Sequence, residues 1–298
     1  MKKLTNFFTG ILFSMLRWVV CLLPEKIAIN FGRRVGRLIY KLSRKYRLRT
    51  IANLRMCYPE WEEKKIIETT LKVFEHFGKN AVRFLRTPKL SKQQILDSVE
   101  IFDESVLIEQ LKKNKGLIVI TAHLGNWERM AHYGALKGYN ISVVARDIDA
   151  ERAHMLVNNT REGEGIKVLS KGSAVKDIIK ALQRNEMIAL LADQNSWDLY
   201  VPFFGFPAGT VAGPAVLHLR TGAPIVFAFN IEKENGKYQC FFEKLELNHL
   251  SDNREENIKH IMTEVNKVIE KYVRKYPEQW LWMHDRWRSA RQQGLIDV

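Results

Sequence analysis

The chain has 298 residues, 46% of them hydrophobic, enough to build one large α/β domain or two small ones. Its 47 Lys and Arg against 33 Asp and Glu leave a net charge of +14, which points to an anionic partner: nucleic acid, anionic lipid or an acidic carrier protein. Three scattered cysteines, Cys21, Cys57 and Cys240, exclude a disulfide framework and a zinc pattern, and read as free thiols in a reducing compartment.

At the amino terminus, Leu4 to Leu23 is predominantly apolar, broken by Arg17 and bounded by Lys2-Lys3 and Pro24. As a helix it is just long enough to span about 30 Å of hydrocarbon. The string Leu22-Leu23-Pro24-Glu25 lacks the small residues of a signal-peptide cleavage site. Residues 1–24 are therefore expected to form a membrane-anchoring helix, and residues 25–298 the working domain. From Glu25 to Tyr46, apolar residues at Ile27, Phe31, Val35, Leu38, Ile39 and Leu42 alternate with Arg33, Arg34, Arg37, Lys41, Arg44 and Lys45. This reads as a basic amphipathic helix lying on an anionic membrane surface, or else as a core helix with a solvated basic face. Positive charge after the anchor puts the bulk of the protein on the cytoplasmic side of the membrane.

Helices are expected over Glu62–Leu85 and Glu104–Lys113. Strand-like runs follow at Leu117–Ile120, Ile141–Ala145, Ile166–Leu169, Met187–Ala192, Ile225–Asn230 and Tyr238–Glu243. Helical stretches lie between most of them, at Trp127–Lys137, Ala150–Gly163, Ser173–Gln183 and Val211–Thr221, and a long helix covers Asn253–Lys275. That alternation implies an α/β fold with a central, mostly parallel sheet flanked by helices. Ligands in such sheets bind beyond the carboxyl ends of the strands.

Thr121-Ala122-His123-Leu124-Gly125-Asn126-Trp127-Glu128 occupies that position, directly after the strand at 117–120. Asn126 is a plausible N-cap for the helix that follows. On one continuous helix His123 and Glu128 would diverge by about 140°. With His123 at the strand end, Gly125 lets the chain fold back so that Glu128, in the first helical turn, reaches the imidazole and orients it as a general base. Two other readings stand beside this one. The histidine is a structural hydrogen-bonding residue, or His123, Glu128 and His132 bind a metal, although their spacing is not that of His-Glu-x-x-His.

These residues resemble the late acyltransferases of lipid A biosynthesis, which share a His-x-x-x-x-Asp/Glu box with glycerolipid acyltransferases. The box is matched by His123 and Glu128 within His-Leu-Gly-Asn-Trp-Glu. Leu191-Ala192-Asp193-Gln194 is similar to the family's Asp-Gln box, and Val201 to Thr210 to its Phe-Phe-Gly segment. Gly213-Pro214-Ala215, Arg220 to Pro224 and Gln279 to Trp287 resemble its later blocks, and Ala52-Asn53-Leu54 and Pro59-Glu60 its earlier ones. The likeness runs from about Pro24 to Arg288. One departure is Ala208, where glycerolipid acyltransferases carry an acidic residue before Gly-Thr. Acyltransferases of phosphatidylinositol mannosides and of other membrane glycolipids share the branch.

The resemblance implies acyl transfer from an acyl carrier protein or CoA thioester to a hydroxyl of a phosphorylated glycolipid, with no metal and no redox cofactor. His123 is the expected base and Glu128 its partner, with oxyanion donors from backbone amides around Gly125. Arg161 falls where the family places an arginine important for substrate, with Arg146 and Arg220 as further phosphate ligands. Asp193 is open between a supporting acid and a structural cap, and Gln194 shares either role; with Asn126 they complete the expected substrate-binding set. Trp280, Trp282 and Trp287 are expected in the core or at the membrane interface. A basic nucleic-acid-binding module would explain the charge. It explains neither the apolar amino terminus nor the ordered blocks, and no zinc-finger or RNA-recognition string is present, so no nucleic acid is expected.

Overall fold

The computed structural model describes residues 14–145, 151–163, 165–170, 174–248 and 250–297. After a helical segment that ends at residue 22 come three helices: α1 (Glu25–Leu42), α2 (Arg44–Cys57) and α3 (Glu63–Arg86). They are followed by α4 (Lys92–Asp97), β1 (Val99–Ile101), α5 (Ser105–Leu111), β2 (Leu117–Thr121), α6 (Trp127–Leu136), β3 (Ile141–Ala145), α7 (Glu151–Glu162) and β4 (Lys167–Ser170). The second half contains α8 (Ala174–Gln183), β5 (Met187–Leu191), β6 (Leu199–Phe203), β7 (Phe206–Thr210), α9 (Gly213–Thr221), β8 (Ile225–Glu232), β9 (Tyr238–Lys244), α10 (Arg254–Lys275) and α11 (Arg288–Gln292).

Seven strands form one sheet in the order β1-β9-β8-β2-β5-β3-β4. Every neighbouring pair is parallel except β8 and β9, which are antiparallel. The mostly parallel α/β sheet expected from the alternation is thus present. The β6–β7 hairpin and the short β1 were not foreseen. Pro202 and Pro207 lie in the hairpin, directly opposite one another across the pair, a composition that reads as loop.

In α1 the buried residues are Ala28, Gly32 and Gly36, one every four residues along a single face. A Cβ on Gly32 would stand 2.6 Å from the Gly78 carbonyl oxygen, so α1 and α3 cross almost in backbone contact. Ile27, Leu38, Ile39 and Leu42 consequently point outward among the arginines. The large apolar residues do not form the buried face; the small ones do.

The expected membrane-anchoring helix is not supported by the described residues. Residues 4–13 of that segment lie outside the described residues. Among those described, no helix is long and apolar enough to cross a membrane. Residues 14–22 dock on the protein instead. Val20 is buried with Ala28, Val82 and Leu85, and the Arg86 guanidinium donates to the Leu23 carbonyl at 2.7 Å and also to that of Val20.

A histidine–aspartate pair above an apolar cavity

β2 and β5 are parallel neighbours, with Thr121 paired to Leu191. Two residues beyond that pair, both chains leave the sheet at His123 and Asp193, so the register itself brings the two side chains together. Asp193 Oδ1 accepts from His123 Nδ1 at 2.9 Å, and Oδ2 accepts from the His123 amide at 2.9 Å and from the Trp280 indole at 2.8 Å. A carboxylate facing Nδ1 places the ring proton there and leaves the Nε2 lone pair outward, toward Gln194, whose amide nitrogen is 3.4 Å away. Burial opposes the charge on Asp193, but the His123 ring and amide and the Trp280 indole outweigh it and hold the carboxyl below its usual range.

Glu128 does not hold the His123 ring. Its carboxylate forms a bidentate pair with the Arg161 guanidinium from α7, with Nε to Oε2 at 3.0 Å. Trp127 stands next to the imidazole, ring centroids 5.0 Å apart at 65°. The sequence offers Glu128 as the partner of His123 and leaves Asp193 open between a supporting acid and a structural cap; strand order decides that the ring meets Asp193.

Gly125 takes φ +62°, and a Cβ there would fall 2.1 Å from the Asn230 carbonyl oxygen, so the turn requires glycine. Its carbonyl accepts from Asn80 Nδ2 at 2.7 Å and lies 3.1 Å from His76 Nε2. Behind these, Glu232 accepts from Arg83 and Lys79 at 2.8 Å each, with His76 Nδ1 at 3.3 Å. Burial works against that carboxylate, yet His76, Arg83 and Lys79 keep it ionised far below its usual range. His76 and Asn80 sit on α3, more than forty residues upstream, and no local sequence pattern marks them. The loop amides are also engaged: Gly125 N–H donates to the Gln279 carbonyl at 3.1 Å and Asn126 N–H to that of Asn230 at 2.8 Å. Neither is free for an oxyanion, contrary to the sequence expectation. The opening amides of α6, at Trp127 and Glu128, precede any intrahelical acceptor.

Below Trp127, Glu128 and Arg161 lies a narrow apolar cavity of about 90 Å³ between α6 and the sheet. Val119, Ala189 and Ala228 line it from the strands, and Met130, Ala131 and Gly134 from α6. The buried Thr121 hydroxyl, at the same end as Trp127, has no hydrogen-bond partner among the described residues. An apolar cavity next to a few polar groups is the usual form of a small-molecule site.

Residues 2–289 match the family described as bacterial lipid A biosynthesis acyltransferase. The chain belongs to that family. It is similar to the lipid A biosynthesis lauroyltransferase of Escherichia coli strain K12, 24% identical over 277 residues, which is 91% of this chain and 89% of that protein. The lipid A biosynthesis palmitoleoyltransferase of the same organism is 21% identical over 292 residues, 96% and 91% of the two chains. A phosphatidylinositol mannoside acyltransferase of Mycolicibacterium smegmatis is 25% identical over 167 residues, 54% of each chain.

The remaining expected site residues divide in this acyltransferase. Arg161 and Gln194 join the constellation. Asn126 does not. It is buried, its Oδ1 caps α6 by accepting from the Arg129 amide at 3.0 Å, and its Nδ2 donates to the Tyr238 hydroxyl at 2.9 Å. Arg220 is exposed near the end of α9, which leads through Gly222 into the amino end of β8, the opposite end of the sheet from His123. Arg146 lies outside the described residues. His132 is not beside His123: its Nε2 faces the Thr160 carbonyl at 3.1 Å and it ties α6 to α7. Trp280 is buried as expected, and its indole also holds Asp193.

Proposed function

We propose that the chain transfers a fatty acyl group from an acyl carrier protein or CoA thioester to a hydroxyl of a lipid A precursor, with His123 as general base and Asp193 as the acid that positions it. The observation that carries this reading is the His123–Asp193–Trp280 constellation next to an apolar cavity. His123 Nε2 takes the proton of the acceptor hydroxyl as its oxygen bonds to the thioester carbonyl carbon. Asp193 keeps Nδ1 protonated and supports the imidazolium. The α6 amides of Trp127 and Glu128, at the positive end of the helix, receive the oxyanion. Collapse breaks the C–S bond, and the imidazolium returns its proton to the leaving thiolate. No protein nucleophile and no cofactor take part. The acyl chain occupies the cavity, and Arg161, held by Glu128, offers its remaining guanidinium edge to the acceptor's phosphate.

The outward apolar residues of α1, interleaved with arginines and lysines, together with Trp18 and Leu22, hold the enzyme on the anionic cytoplasmic face of the inner membrane. On this reading residues 1–24 are part of a membrane-contacting region and residues 25–298 the acyltransferase domain. The partial likeness to phosphatidylinositol mannoside acyltransferases makes such a glycolipid the alternative acceptor.

The test uses purified enzyme, acyl carrier thioesters, and either lipid A precursor or phosphatidylinositol mannoside. His123→Ala and Asp193→Asn are expected to lose about 10²–10⁴ in kcat while melting as folded proteins. Wild-type turnover by folded His123→Ala would remove the mechanism, and acylation of the mannoside alone would replace the acceptor.

A further inference from the structure

The cavity beneath α6 has a defined deep end. Its wall on β5 runs from Leu191, level with Thr121, down to Met187, level with Ile141 at the start of β3. Those four steps along the strand span about 13 Å at about 3.3 Å each. An all-trans alkyl chain, with bonds of about 1.5 Å at tetrahedral angles, covers that depth in about ten carbons. Tyr139 lies two residues before Ile141, where the hydroxyl donates to Glu104 Oε1 at 2.8 Å. Both residues line the cavity, whereas Phe102, Gly138 and Asn140 next to them are exposed. The pair therefore lies between the cavity lining and exposed residues of the chain. It pairs two polar groups with each other at an otherwise apolar end. The Glu104 loop is tied down in turn, since the Ser105 amide donates to Asp103 Oδ1 at 2.9 Å.

We propose that the Tyr139–Glu104 hydrogen bond closes the deep end of this cavity and sets the longest acyl chain the enzyme transfers. The proposal rests on the acyl-chain reading of the cavity given above. It also has a counterpart next to it, since the Tyr139 amide donates to the Gly134 carbonyl at 3.1 Å. A Cβ on Gly134 would stand 2.6 Å from Ile141 Cδ1, a terminal methyl that has to turn aside, and both residues line the cavity near its closed end. Gly134→Ala thus removes room at the depth where Tyr139→Ala adds it.

The experiment compares wild type, Tyr139→Ala and Gly134→Ala on acyl carrier thioesters of about 6 to 18 carbons, which bracket the roughly ten carbons that the cavity depth holds, in parallel with thermal stabilisation by free fatty acids of the same lengths. Tyr139→Ala is expected to raise relative kcat/KM for donors two or more carbons longer than the wild-type optimum by about tenfold or more. Gly134→Ala is expected to shift the optimum shorter, and the fatty-acid series is expected to move the same way. Unchanged length profiles in both assays, for folded variants, would overturn the proposal. If Tyr139→Ala fails to fold, the length profile of Gly134→Ala alone decides between support and rejection. If wild type transfers no acyl group from any donor, the transferase reading fails. The fatty-acid series then decides the closure by itself: a shifted length preference supports it, and an unshifted one overturns it.

Discussion

The two faces of the central sheet are made by the same strands and do opposite things. Along β8, Ile225, Phe227, Phe229 and Ile231 enter the large core beneath α10, and Val226 and Ala228 face α6. Along β5, Ile188 and Leu190 pack into that core, while Met187 and Ala189 face α6. The large-residue face is filled further by Trp280, Trp282, Trp287 and Phe203, with Trp280 and Trp282 edge to face at 4.6 Å. On the other face small residues oppose small ones, Ala189 and Ala228 against Ala131 and Gly134, and volume is left over. A period of two thus separates stability from function across the thickness of one sheet. The filled face holds the strands in register; the hollow face is the one proposed to receive the acyl chain, and the register places His123 and Asp193 near it.

Two neighbouring substitutions in β8 test this division, and the larger effect belongs to the filled face. Phe227→Ala, which empties a fully buried position, is expected to cost about 3–5 kcal/mol, read as a lowered denaturant midpoint. A loss below about 1 kcal/mol would mean that the aromatic face is not the stabilising one. Ala228→Leu, one residue on, fills existing space. It is expected to leave stability within about 1 kcal/mol of wild type while cutting transfer of long acyl chains by about tenfold or more. Should Ala228→Leu transfer long chains at the wild-type rate, the hollow face is not the acyl site.

The smallest expected effect is acid sensitivity from the histidines at the edges of the two faces. His284 accepts from the Asn195 amide at 2.9 Å, and burial lowers its pKa to about 4; burial also lowers that of His132. Both are therefore neutral in the folded state at pH values where the unfolded chain, near 6.5, takes up the proton. Stability is expected to be complete above about pH 6.5 and to fall as pH drops toward 4. For His284 the loss is on the order of 1 kcal/mol after allowance for its partial exposure. Thermal melts across that range, on wild type and His284→Asn, check it. A variant whose melting temperature declines as steeply as wild type would assign the sensitivity elsewhere.

Much of the architecture was legible before the fold was seen. The strand expected at 117–120 and found at 117–121, the glycine turn and the Asn126 cap follow from local chemistry, because each depends on residues within a few positions of one another. α1 was legible as a helix and not in orientation. Its apolar residues are periodic, but the buried face is the one whose small residues permit close approach to Gly78, and only a partner helix selects that.

The amino-acid sequence by itself determined that a histidine would stand at a strand's carboxyl end in an α/β sheet, with acids and an arginine available to it. Tertiary structure decided the pairing. Glu128 is five residues from His123 and turns away to Arg161, whereas Asp193, seventy residues on, is adjacent because β2 and β5 lie side by side in register. It also decided which amides are spent, through Gln279 and Asn230, and where volume is missing. Strand order and void space arise from the packing of distant segments, whose contacts are set by the whole chain, so no local pattern of residues encodes them.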